Sequence, residues 1–261
     1  MSSNEEVLRL VIPISGINLP SIEQSFEVEK DFVIVVSDQA LPFPPVYAVF
    51  AVPDESVRIR NECVSKLSKF LDCFSYHTLM PADISGPQVW QRVSREKIMS
   101  PPFSKVKIFK RNSPEYAKVP LTAATNLAKR KLFKFLLNAL TFYRRSLLAR
   151  TRDESLVDLI IALESMFSLN SQEIRYRLSL WTAYFIGESN IQMRKQIYDL
   201  VYEMYGLRNT IVHLGGTAKS VDFVKVARLR EVVRDAITKY LELDNNKKSC
   251  LEKIESRIMS G

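Results

Sequence analysis

All twelve prolines of this 261-residue chain lie at or before Pro120, and none follows. Proline lacks the amide hydrogen that an α-helix needs and clashes with the preceding turn. Residues 121–261 are therefore free to form long helices, and the first 120 are interrupted repeatedly. The hydrophobic period changes at the same place. Before it, β-rich runs at residues 7–14, 32–36 and 46–52 are separated by Pro20, by the cluster Pro42-Phe43-Pro44-Pro45 and by polar stretches, which predicts a small sheet. Asp54 is the expected N-cap of a following helix that carries Cys63, Val64, Leu67, Phe70, Leu71 and Phe74 on one face. Prolines and basic residues crowd residues 80–120, predicting connecting structure with one strand at 106–109.

After Pro120 the apolar residues recur at the helical period. Residues 121–149 read as one long basic helix. Thr151 and Glu154 have the spacing of a capping box and open a second helix, with Leu156, Leu159, Ile160, Leu163 and Phe167 on one face. A third spans 171–186, with Gly187 suited to the left-handed position just past its end. Asn190 caps a fourth, striped by Ile197, Leu200, Val201, Met204 and Ile211 and ending near Gly215 and Gly216; a fifth covers 222–243, and a short tail helix follows at 250–259. Short links between long amphipathic helices imply an antiparallel up-and-down bundle. The expected fold class is α+β: a β-containing region over 1–120 and a helical bundle over 121–261.

Charge is distributed as unevenly as proline. Residues 1–91 carry 6 basic and 12 acidic side chains, residues 92–152 carry 16 basic against Glu96 and Glu115, and the remainder is balanced at 15 of each. The whole excess of +8 thus arises in a central block of +14, within which Lys129, Arg130, Lys131 and Lys134 are the candidate RNA-binding residues. Such a block suits a phosphate backbone or an anionic surface, and equally a solvated helix face. A membrane-surface role fits poorly, because core-type aromatics (Phe133, Phe135, Phe142, Tyr143) interleave with the charges. The start MSSNEEVLRL has neither the basic beginning nor the apolar centre of a signal peptide, and no apolar run reaches spanning length, so a cytoplasmic protein is expected.

Missing signatures narrow the chemistry. The chain has no phosphate-cradling G-x-x-x-x-G-K-[ST] loop, no Rossmann glycine fingerprint and no serine elbow. Its three cysteines have no C-x-x-C spacing and its histidines number two, so no cofactor, disulfide framework or His- or Cys-based metal site is expected, while a carboxylate-only magnesium site stays open. His77 has no charged neighbour at useful spacing and reads as structural.

His213 differs. It stands five residues after Arg208, in the segment Arg208-Asn-Thr-Ile-Val-His213. An imidazole titrating near neutrality can move a proton, and a guanidinium can hold charge building on phosphorus oxygens, which together serve RNA cleavage by the internal 2′-hydroxyl. Five residues turn a helix by about 140°, so on one ideal helix the two side chains diverge. Either the helix ends between them or two copies meet at a two-fold axis and share the cleft.

This segment near the end of the fourth helix, preceded by Tyr202-Glu-Met-Tyr-Gly-Leu-Arg208 and by the earlier Leu159-Ile-Ile-Ala-Leu-Glu-Ser-Met-Phe167, resembles the HEPN superfamily. The likeness is to its Apea-like branch, in which a β-containing region with a strand like Ile12-Pro13-Ile14 precedes the bundle. The resemblance is clear over 156–216 and looser elsewhere. It implies a homodimeric bundle that binds RNA and, in active members, a metal-independent endoribonuclease of the antiviral-defence, abortive-infection or toxin kind, with a regulatory or antitoxin partner. Arg208 and His213 match the family motif, and Asn209 the polar residue that follows its arginine. Glu164 corresponds to an acidic residue of the earlier helix, where it either orients the pair or is only a carboxylate near a bundle end. Many members are inactive scaffolds, and a nucleotide- or RNA-binding or protein-interaction module is the alternative.

Replacing Lys129, Arg130, Lys131 and Lys134 together with alanine is expected to flatten the slope of log RNA affinity against log salt by up to about 3, since each phosphate contact on a single strand contributes about 0.7. An unchanged slope makes the block a solvated face.

Overall fold

The computed structural model describes residues 6–15, 24–36, 46–85, 88–94, 118–168, 173–214, 221–243 and 247–259. The expected strand at 106–109 and the glycines 215 and 216 lie outside them. The chain divides into two units, Met1–Lys131 and Leu132–Gly261.

In the first unit the alternating run β1 (Glu6–Ser15) is the centre of an antiparallel sheet. One edge pairs with β4 (Val46–Val52), which pairs in turn with β3 (Phe32–Val36) and then β2 (Gln24–Glu29). The other edge is shared by β5 (Asp83–Ile84) and β6 (Val89–Ser94). The three expected strands are present; β2, β5 and β6 are additional. Strand alternation places Leu10, Ile12, Phe32, Ile34 and Phe50 on one face and Val11, Val33, Tyr47 and Val49 on the other, and all are buried. Helix α1 (Val57–Thr78) packs on the first face, where Phe32 stacks on Phe50 at 4.2 Å and meets Phe70 edge-on at 6.1 Å. Asp54 is not its cap. Ser56 is, accepting from the Ile59 amide at 3.3 Å, while Asp54 closes a turn two residues long by accepting from the Ser56 amide at 2.8 Å.

The expected single helix at 121–149 is two. Helix α2 (Lys118–Lys129) belongs to the first unit, with Leu121, Ala124, Leu127 and Ala128 buried and α1 as its neighbour. Helix α3 (Lys134–Leu148) opens the second unit. The break falls where Lys129, Arg130 and Lys131 are consecutive, with no acid three or four positions away in the sequence to offset their repulsion along a helix.

The second unit is built around α4 (Arg152–Phe167), which packs against α3, α5 (Ile174–Gly187), α6 (Ile191–Leu214), α7 (Phe223–Leu243) and α8 (Lys247–Met259). Its capping box forms as read: Thr151 Oγ1 accepts from the Glu154 amide at 3.1 Å and Glu154 Oε2 accepts from the Thr151 amide at 3.3 Å. Leu156, Leu159, Ile160, Ala162, Leu163, Met166 and Phe167 are all fully buried. Phe167, Phe185 and Tyr240 close an aromatic box, with ring centroids 4.6 to 5.8 Å apart. Asn190 caps α6 through the Met193 amide at 2.9 Å. The three cysteines are free and buried; burial pushes the Cys63 thiol up to about 11 and that of Cys73 up to about 12. No described helix is long and apolar enough to cross a membrane.

Gly187 is present for a different reason from the one its position implied. It is the last residue of α5, and the positive φ of 46° falls on Glu188. A Cβ on Gly187 would lie 2.8 Å from Arg194 Cγ and 3.0 Å from the Arg194 amide nitrogen, so glycine admits the close approach of α6. In an open helix, glycine to alanine stabilises by roughly 1 kcal/mol. Gly187→Ala is expected to reverse that sign and destabilise by about 1 to 3 kcal/mol, because a backbone atom has to move. Urea unfolding followed by circular dichroism measures it.

Candidate functional site

The fourth helix of the second unit, α6, is continuous from Ile191 to Leu214, so it does not end between Arg208 and His213. Helical spacing therefore fixes their faces. Ile197, Val201, Met204 and Tyr205 point into the unit and are buried, with Arg208 half-buried beside them. Tyr198, Tyr202, Asn209 and His213, at spacings of four, seven and four, form the adjoining stripe, with Tyr205 at the border of the two. His213 is exposed. Within one chain the arginine and the histidine leave the helix on different sides.

Arg208 is held by three neighbours. Its Nη2 lies 3.8 Å from Glu164 Oε2 at the last turn of α4, its Nη1 donates to Asn209 Oδ1 at 3.2 Å, and its guanidinium sits 5.7 Å from the Tyr205 ring centroid. Its Nε is buried and meets no hydrogen-bond partner among the described residues. Glu164 and Arg208 are similarly accessible, with side chains 22% and 19% exposed, so the pair is neither a surface ion pair nor a desolvated one. Burial, the Glu164 charge and hydrogen bonding toward that carboxylate raise the Tyr205 pKa above its ordinary value. Glu164, Arg208 and Asn209 are thus brought together. Asn209 connects them to His213, being adjacent to Arg208 in the chain and one helical turn before the histidine.

Sequence reading missed the cleft beside this cluster. It has a volume of about 660 Å³ and lies between Glu173, Arg175 and Tyr176 at the start of α5 and Tyr202, Tyr205 and Asn209 of α6. The guanidinium of Arg175 lies 3.7 Å over the Tyr202 ring and its Nε donates to the Tyr202 carbonyl at 2.8 Å. The recurrence of tyrosine at 198, 202 and 205 was the available signal, since four- and seven-residue spacings share a face.

The four basic residues of the central block are exposed. Lys129 is the last residue of α2, and Lys69 Nζ donates to the Arg130 carbonyl at 3.0 Å. Lys134 is the first residue of α3, whose first turn has no acid and whose N-cap, Phe133, makes no side-chain bond. A cation there opposes the helix dipole, so helix stability does not account for it. His77 lies in the last turn of α1 with its ring 5.0 Å from that of Tyr76. Among the described residues no group of three or more His, Cys, Asp or Glu side chains could hold a metal ion. No protein-family model, curated protein or solved structure gives a significant match to the chain.

The shared carboxylate has a measurable consequence. Glu164→Gln removes the negative charge that keeps the Tyr205 proton on, so the Tyr205 pKa is expected to fall while burial still holds it above the ordinary value near 10. The raised pKa stabilises the fold below the unfolded tyrosine pKa, and this contribution disappears as pH rises through the folded value. NMR titration of ring-labelled tyrosine, compared between the wild type and Glu164→Gln, measures it. An unmoved Tyr205 would show that the two groups do not interact.

Proposed function

We propose that this chain is a metal-independent endoribonuclease of the HEPN kind, acting in the cytoplasm in antiviral defence by abortive infection or as a toxin. The observation that carries the reading is the anchoring of Arg208. A half-buried guanidinium fixed by Glu164 and Asn209, with an exposed imidazole five residues further along the same helix, supplies the two kinds of group that 2′-hydroxyl attack requires, a charge stabiliser and a base. His213 takes the 2′-hydroxyl proton, the 2′-oxygen bonds to phosphorus, and the P–O5′ bond breaks with a proton delivered to the leaving oxygen. Products are a 2′,3′-cyclic phosphate and a 5′-hydroxyl. Arg208 stabilises the charge on the non-bridging oxygens, and Glu164 with Asn209 sets its orientation.

Because α6 runs unbroken through the motif, the divergence of the two side chains falls to a second copy. The active form is a homodimer through the bundle with α6 at its two-fold axis, and a regulatory or antitoxin partner restrains it. The divergence within one chain also favours a second reading, a non-catalytic module that holds RNA or a nucleotide, or that docks a protein. In that case Arg208 is a structural member of the Glu164–Tyr205 cluster.

His213→Ala and Arg208→Ala are each expected to reduce cleavage of RNA in chelator to near background, with fold and dimer retained. A lost proton transfer costs about 100- to 10,000-fold, and a lost charge-stabilising donor about 3 to 4 kcal/mol. The double variant should be scarcely worse than either single one, because the two groups act as a unit. Persistent cleavage by His213→Ala, or cleavage only with added magnesium, overturns the mechanism, and a monomer by light scattering at micromolar concentration removes its geometry.

A further inference from the structure

The cleft beside Arg208 contains more ordered chemistry than a surface groove needs. Tyr198 and Tyr202 stack with centroids 5.7 Å apart and planes 16° from parallel, and Tyr176 meets Tyr198 edge-on at 6.3 Å. Tyr176 and Tyr202 nevertheless remain 49% and 38% exposed, so broad aromatic surface faces water.

Arg175 is fixed on three counts: the Tyr202 ring beneath it, the bond to the Tyr202 carbonyl, and the absence of a side chain at Gly206, where a Cβ would come within 2.8 Å of its Nη2. Among the described residues no carboxylate forms an ion pair with it. A guanidinium held flat, unneutralised and backed by a ring presents one face for stacking and outward N–H groups for a phosphate. Glu173 at the mouth, in a left-handed backbone with φ 50°, offers an acceptor for exocyclic amino groups.

We infer that this cleft receives one unpaired nucleotide of a single-stranded RNA, its base between Tyr176 and the Arg175–Tyr202 stack and its phosphate on the outer edge of Arg175. The identity of the strand as RNA rests on the nuclease reading above. The position follows from α6 itself. Tyr202 and His213 share a stripe and are separated by roughly 16 Å of helix, about five steps of a stacked strand at 3.4 Å per nucleotide. A base seated in the cleft therefore anchors the strand, and the phosphate to be cut lies several nucleotides away. Duplexes do not fit this arrangement, because their bases are stacked on each other and cannot enter.

The test uses the full chain and a fluorescent octamer of mixed sequence with 2′-methoxy groups, which binds without being cut, alongside the same octamer as a duplex. Tyr176→Ala and Tyr202→Ala are expected to weaken octamer binding by about 5- to 150-fold and to leave duplex binding unchanged, while Tyr176→Phe binds as the wild type does. Gly206→Ala is the variant least open to misfolding, since alanine favours helix and only the tip of Arg175 has to move; it too should weaken the octamer. Octamer affinity unaffected by Tyr176→Ala and Gly206→Ala overturns the inference. So does an equal loss of duplex binding, or dissociation of a dimer by Tyr176→Ala, which would assign the face to a second copy. Cleavage of ordinary RNA, measured in parallel, separates the two claims: tyrosine-dependent binding without His213-dependent cleavage sinks the nuclease alone, and the converse sinks the cleft alone.

Discussion

The second unit depends on the burial of α4 on nearly every side. A helix apolar over most of its circumference has to be enclosed, and five other helices enclose this one. Its polar groups are provided for in a way that fixes its position along its axis. The capping box sets where it begins. At the other end the Met166 carbonyl accepts from the Tyr240 hydroxyl at 3.1 Å and the Ser165 carbonyl from Lys247 Nζ at 2.8 Å. Glu164, in this anchored last turn, is therefore a carboxylate with little freedom in where its backbone sits. The order of cause runs from the cap through the core to the acid, and from the acid to Arg208.

Much of this was legible in the sequence because it is local. Thr151 with Glu154 and Asn190 with Met193 form caps that reach only three positions along the chain, and the stripe of α4 obeys a period that needs no knowledge of partners. What escaped involved distance or competition. Strand β6 lies in a segment crowded with prolines, and its pairing with β1 joins residues over eighty positions apart, such as Leu8 and Arg92. Strand β2 leads into β3 through Lys30 and Asp31, with no glycine to announce the turn. At Asp54 two cap-forming residues competed within three positions, and the serine nearer the helix took the role.

The site divides along the same line. Arg208, Asn209 and His213 are legible as a motif, and Glu164 was named through resemblance to a family; the distance of 3.8 Å that joins it to Arg208 is tertiary information. Arg175 and Tyr176 have no such motif, because their relation to the tyrosines of α6 is between helices. Arg175 matters through a carbonyl and a missing side chain on α6, neither of which leaves a pattern at Arg175 itself.

The nearness of Tyr205 to Glu164 bears on how the unit meets the loss of Arg208. Removing one member of an enclosed ion pair usually strands the other's charge. Here the carboxylate is 22% exposed and keeps the Tyr205 phenol close to it after the arginine is gone. The last turn of α4 thus has a second way to accommodate its acid, and the bundle's stability does not hang on the arginine alone.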